Sequence, residues 1–143
     1  KIAGDGDIAE KLKQMAHSNV EFLGKLMPEE LEQITTNAWL GYNLLDNKSL
    51  SYYYSLSNKT FDYIQAGIPQ LMPDFPEYRK LNQEWNFGVI VGLSPDEIVK
   101  AVKQLMGDDN FYNVLKANAE EAGRVLNWER EEGKLEEILK IFG

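Results

Sequence analysis

The chain has 143 residues, 43% of them hydrophobic and 11% aromatic, which is enough to bury one sizeable core in a single domain or a piece of one and is neither a disordered nor a fibrous composition. Its formal charge of −8 argues against nucleic acid as a partner, because counterion release along a phosphate backbone needs a basic stripe. The lack of cysteine excludes disulfides and thiolate metal sites; with no leader-like start and no apolar run near the ~20 residues that span a bilayer, a soluble chain in a reducing cytoplasm is expected.

Apolar periodicity alternates along the chain. The opening 1-KIAGDGD-7 reads as a strand running into a glycine turn, and the next segment places Ile8, Leu12, Met15 and Ala16 on one helical face. A short strand follows at 20-VEFLG-24, and Pro28 opens a helix over 29-EELEQITTNAW-39 with Leu31, Ile34 and Ala38 on one side. The strand 40-LGYNLL-45 leads through a loop to a helix that begins after Ser57 and ends near Gly67. The pattern continues with a strand 70-QLMP-73, a helix 76-PEYRKLNQEW-85 and an apolar strand 87-FGVIV-91. Ser94 caps 95-PDEIVKAVKQLM-106, whose Ile98, Val99, Val102, Leu105 and Met106 form a stripe. A helix from about Asn110 to Leu126 and another over 127-NWEREEGKLEEILKIF-142, with Leu135, Ile138, Leu139 and Phe142 on one face, close the chain. Strand and helix in turn predict an α/β fold, a Rossmann-like parallel sheet with helices on both faces and a helical C-terminal end.

In such sheets ligands gather at the carboxyl ends of the strands, where loops lead into helix N-termini. Lys59 falls in the first turn of the helix after Ser57, the electropositive end, where a cation opposes the dipole by roughly 0.3–1 kcal/mol unless an anion shares the site. A phosphate held by backbone N–H groups at Ser57, Asn58 and Lys59 answers that arrangement. Asp62, one turn further along, can accept hydrogen bonds from neighbouring sugar hydroxyls, and a phosphate beside a diol describes a nucleotide. The bland alternatives are a solvated surface lysine and a helix-surface acid.

Other residues carry weaker signals. Tyr52, Tyr53 and Tyr54 form a β-prone aromatic run that suits packing at a strand end better than base stacking. Gly4 and Gly6 need only a tight turn, since the dinucleotide pattern fails at Ala9; Asp7, despite its spacing from Asp5, suits a helix cap. The single histidine, His17, suits the last turn of the first helix as a structural residue, and no transition-metal site is expected.

The segments 2-IAGDGD-7, 20-VEFLGKL-26, 55-SLSNKTFDYIQAGIPQL-71, Gly88 before an apolar strand, and 127-NWE-129 together resemble the later part of the C-terminal, nucleotide-sugar-binding domain of a GT-B glycosyltransferase of the retaining family 4. The middle segment is the most specific, being of the type Ser-x-Asn-Lys-x-Phe-[Glu/Asp]-Tyr-x-x-x-Gly-x-Pro. The resemblance implies that Asp62 binds the nucleotide ribose and that Gly24, Lys25 and Leu26 lie near the base. It departs from the family at Tyr54, where a glutamate near the donor sugar or its phosphate is common, and at Asp62, where glutamate is usual. The family's first strand, its glycine loop with the Arg/Lys pair that holds the diphosphate, and its acceptor-binding N-terminal domain have no counterpart in 1–143.

The resemblance implies glycosyl transfer, with retention, from a nucleoside diphosphate sugar to an acceptor, in polysaccharide or glycoconjugate synthesis. It needs no metal or other cofactor. Residues 1–143 are then one domain that supplies the donor side and is not expected to turn over alone, with the missing N-terminal domain as partner and as the route to any membrane association. Two alternatives stay open: a non-catalytic nucleotide- or phosphosugar-binding module, and a GT-B-type nucleotide-sugar epimerase. In the strand order 3-2-1-4-5-6 the chain opens within the second strand, so the expectation is either that 1-KIAG-4 closes directly against 40-LGYNLL-45 or that an outside segment fills the slot, self-association through an open sheet edge included.

Overall fold

The computed structural model describes residues 1–142, which divide into two compact units, 1–34 and the remainder. In the first unit β1 (Ile2–Ala3) pairs in parallel with β2 (Phe22–Gly24), with Ile2 opposite Phe22, Ala3 opposite Gly24 and an irregularity between them. Between the strands lies α1 (Ala9–Met15), and α2 (Pro28–Thr36) follows β2, opening on Pro28 as its missing N–H favours. No residue of this unit is fully buried. The expected face of α1 stays uncovered, with Ile8 62% and Met15 68% exposed. Two local expectations fail here. Ile8, not Asp7, occupies the cap position and makes no side-chain capping bond, and His17 lies beyond the end of α1, its carbonyl accepting from the Val20 N–H.

The second unit is built on three parallel strands in the order β3 (Gly41–Tyr42), β4 (Gln70–Pro73), β5 (Gly88–Val91). Its helices are α3 (Leu50–Tyr53), α4 (Asn58–Gln65), α5 (Pro76–Trp85), α6 (Pro95–Gly107), α7 (Asp109–Val125) and α8 (Trp128–Phe142). Neighbouring residues of a strand point to opposite faces, and Leu71 and Met72, both fully buried, head two separate cores. Met72 packs with Ile64, Phe75, Tyr78, Phe87, Ala119 and Ala122, and Leu71 with Val91, Ala101, Leu105 and Leu115. Thus α4 and α5 cover one face, α6 covers the other, and α7 contributes to both. Gly67 ends α4 at φ +65, a left-handed conformation that glycine adopts without steric cost.

Counting β1 as the second strand of the 3-2-1-4-5-6 order, β2 beside β1 and β3-β4-β5 are both runs of that order. β1 and β3 belong to different sheets. Each is only two residues long, and the Tyr42 carbonyl of β3 is engaged by the Tyr63 hydroxyl. Further corrections concern burial. The tyrosine run is not at a strand end, since its first two members close α3; Tyr53 packs on the core, while Tyr52 and Tyr54 are exposed. On α6, Ala101 and Leu105 are buried and Ile98 and Val102 half-buried against the core, with Val99 and Met106 exposed. On α8, Leu135, Ile138 and Leu139 remain exposed. Among the described residues no helix is long and apolar enough to cross a membrane.

Candidate functional site

The start of α4 is built from capping chemistry. Ser57 is extended, and its Oγ accepts from the Lys59 N–H at 3.3 Å, while its carbonyl accepts from the Thr60 N–H at 2.9 Å. Its own N–H donates to the Tyr78 hydroxyl of α5 at 3.0 Å. The Asn58 N–H, one of the donors that a helix start leaves without an intrahelical acceptor, has no partner among the described residues. Lys59 forms no ion pair among them either.

Asp62 lies three residues beyond Lys59, on the same side of α4, and both side chains are exposed. The protein around the Asp62 carboxyl strips part of its hydration and raises its pKa above 3.8; the Lys59 charge opposes this without cancelling it. A carboxylate that is partly dehydrated, beside a cation with no other partner, is set up to exchange water for a polar ligand.

Below this turn lies a polar cluster that carries no local signal in the sequence. Asn43, directly after β3, donates from Nδ2 to Thr60 Oγ1 at 2.9 Å and to Gln70 Oε1 at 3.2 Å, and Gln70 Nε2 donates to the Thr60 carbonyl at 3.1 Å. All three side chains are buried. Gly41 is the companion feature: a Cβ there would lie 2.5 Å from Cδ2 of Tyr63, so the bare backbone lets that ring lie against β3.

Ser57, Asn58, Lys59 and Asp62 are therefore brought together on the first turns of one helix. Gly24, Lys25 and Leu26 belong to the first unit, where Gly24 ends β2 at φ +67, Lys25 is exposed and Leu26 half-buried. Tyr54 caps the C-terminal end of α3, 61% exposed, its ring edge-on to Tyr53 at 5.0 Å. Among the described residues no group of His, Asp or Glu gathers that could hold a metal ion.

A separate cavity of about 660 Å³ is walled by Phe61, Leu81, Leu126 and Trp128. Of its polar neighbours, Gln65 Nε2 donates to the Gly123 and Leu126 carbonyls, Asn127 Oδ1 accepts from the Arg130 N–H and Glu131 pairs with Lys134, while Glu129 forms no ion pair among the described residues and has no cation beside it in the lining. It shares α4 with the Lys59 turn but none of its charged groups. Convergent free polar groups, more than volume, distinguish a ligand site, and these favour the Lys59 turn.

No protein-family model matches the chain, and no curated protein matches it. Solved structures do. A sucrose-phosphate synthase from Thermosynechococcus elongatus superposes with a TM-score of 0.71 at 18% identity, over 95% of this chain and 34% of that one. WaaG, a glycosyltransferase involved in lipopolysaccharide biosynthesis, superposes with a TM-score of 0.64 at 14% identity, over 87% of this chain and 33% of that one. The likeness is one of fold: the chain has the Rossmann-like α/β architecture of a part of a GT-B glycosyltransferase, consistent with a piece of its C-terminal domain. It spans about a third of the length of the structures it matches.

Proposed function

We propose that the chain is the donor-binding portion of a retaining glycosyltransferase that moves a sugar from a nucleoside diphosphate sugar to an acceptor, in polysaccharide or glycoconjugate synthesis. The observation that carries this reading is the first turn of α4, where an unpaired Lys59 and the unpartnered Asn58 N–H stand one turn from Asp62. Lys59 and the helix start hold the diphosphate, and Asp62 accepts from the ribose hydroxyls. As the bond between sugar and phosphate breaks, further negative charge builds on the departing nucleoside diphosphate, already anionic in the donor, and a fixed cation with aligned N–H groups stabilises the more highly charged transition state more than the ground state. The acceptor site and turnover belong to the remainder of the enzyme.

Calorimetric titration with UDP-, GDP- and ADP-sugars tests the reading. One of these should bind, and Asp62→Asn, which keeps size and removes charge, should weaken it by about 1–3 kcal/mol with stability nearly unchanged. Affinity indifferent to both Asp62→Asn and Lys59→Ala would refute the site. Tyr54 in place of the family's glutamate favours a second reading, a non-catalytic nucleotide- or phosphosugar-binding module. A longer chain carrying an acceptor domain separates the two, since a transferase would then turn over and a module would only bind.

A further inference from the structure

We infer that Asn43, Gln70 and Thr60 are positioning residues, a buried polar clamp that sets the pose of the first turn of α4; the functional part of this inference rests on the reading of that turn as the donor site. Thr60 directly follows Lys59 and precedes Asp62 by two residues, so whatever fixes Thr60 fixes both. Thr60 and Gln70 are 0% exposed and Asn43 1%, and together they tie α4 to β3 and β4. The bonding order is determined. Gln70 Nε2 is committed to the Thr60 carbonyl, so Gln70 Oε1 must accept, and Asn43 must present both protons of its amide. That leaves Asn43 Oδ1 buried with no partner.

A helix lying on a sheet needs only apolar contacts for stability, and an orphaned buried acceptor is a liability. What the network adds is direction. Apolar surfaces slide past one another, whereas a hydroxyl and a carbonyl gripped from two strands prevent α4 from rotating or shifting along its axis. Tyr78, accepting from the Ser57 N–H, anchors the cap from α5. An anion site at a helix start is effective only if its N–H groups and charge are already aimed, and the clamp supplies that pre-organisation.

Three variants test this: Thr60→Val, which keeps shape and removes the Oγ1 acceptor; Thr60→Ser, which restores it; and Gln70→Met, which keeps volume and removes both Gln70 bonds. The primary readout is amide hydrogen exchange by NMR without nucleotide. Thr60→Val and Gln70→Met should speed exchange at 60–62 about tenfold while the α7 amides of Leu115, Ala119 and Ala122 hold their rates, and Thr60→Ser should return 60–62 to the wild-type rates. An equal rise at both sets of amides means global loosening and overturns the clamp, as does no change at 60–62. If Gln70→Met does not fold, the Thr60 pair decides. With the UDP-, GDP- or ADP-sugar that binds wild type, affinity should fall about fivefold in Thr60→Val and recover in Thr60→Ser. A wild-type chain that binds none of the three refutes the donor-site reading, and the clamp then stands or falls on exchange alone.

Discussion

Gly41→Ala puts one methyl group between β3 and α4. The new Cβ would sit 2.5 Å from Tyr63 Cδ2, 2.6 Å from Cγ and 2.8 Å from Cε2. Carbon atoms rest at ~3.5–4.0 Å, so the ring must withdraw by roughly 1 Å. The near atoms lie at the root of the ring, and the hydroxyl is held by the Tyr42 carbonyl at 3.5 Å, so rotation of the tip does not relieve the clash. Either Tyr63 leaves its rotamer or α4 lifts from the sheet, and overpacking of this kind costs about 1–3 kcal/mol. Urea denaturation should show that loss with the slope unchanged, and melting should fall by about 2–4 °C for each kcal/mol. In a Tyr63→Ala background the methyl meets no ring, so most of the cost should disappear and the coupling should reach at least ~1 kcal/mol. A loss below ~0.5 kcal/mol, or the same loss in both backgrounds, would refute the assigned contact.

Lys59→Ala should weaken nucleotide binding in calorimetry and, by removing a cation from the positive end of α4, stabilise the free protein by about 0.3–1 kcal/mol; a melting temperature that falls would contradict the dipole argument. Tyr78→Phe leaves a fully buried ring in place and strips the Ser57 N–H of its acceptor, so urea unfolding should register a loss of about 1–3 kcal/mol, and an unchanged midpoint would show that the cap is held otherwise. Asp74 is kept below its ordinary 3.8 chiefly by the hydrogen bond from Arg79. The folded state therefore binds that proton less readily than the unfolded chain, and the stabilisation is in place above pH 3.8 and vanishes as pH falls through the lowered value. Asp74→Asn should flatten this acid limb by a small amount, because the pair is exposed; an unaltered stability profile below pH 4 would exclude the bond as its source.

Most elements were legible from local physics. Ser57 with a helix former behind it, Pro76 at a first helical position, and the apolar run from Gln70 to Pro73 each specify their conformation within a few residues, and each stands where expected. The resemblance around Asn58, Lys59 and Asp62 likewise required only short-range order, because cap, cation and carboxylate share one helix. Burial was less legible. Val99 and Met106 lie on the periodic stripe of α6 and still face solvent, because periodicity defines a side of a helix but not what covers its margins. Of the tyrosines before Ser55, Tyr53 packs on the core as expected, but the run closes a short helix and not a strand, because β-prone side chains accept a helix when a cap such as Ser49 Oγ, bonded to the Tyr52 N–H, closes its start. The tertiary structure alone decided the partners of Thr60, Asn43 seventeen residues earlier in the chain and Gln70 ten residues later. It also decided that the empty side of Gly41 faces a tyrosine. Hydrogen bonds across strands and a missing methyl opposite a ring leave no periodic trace in sequence, since they depend on where packing of the whole sheet brings distant residues together.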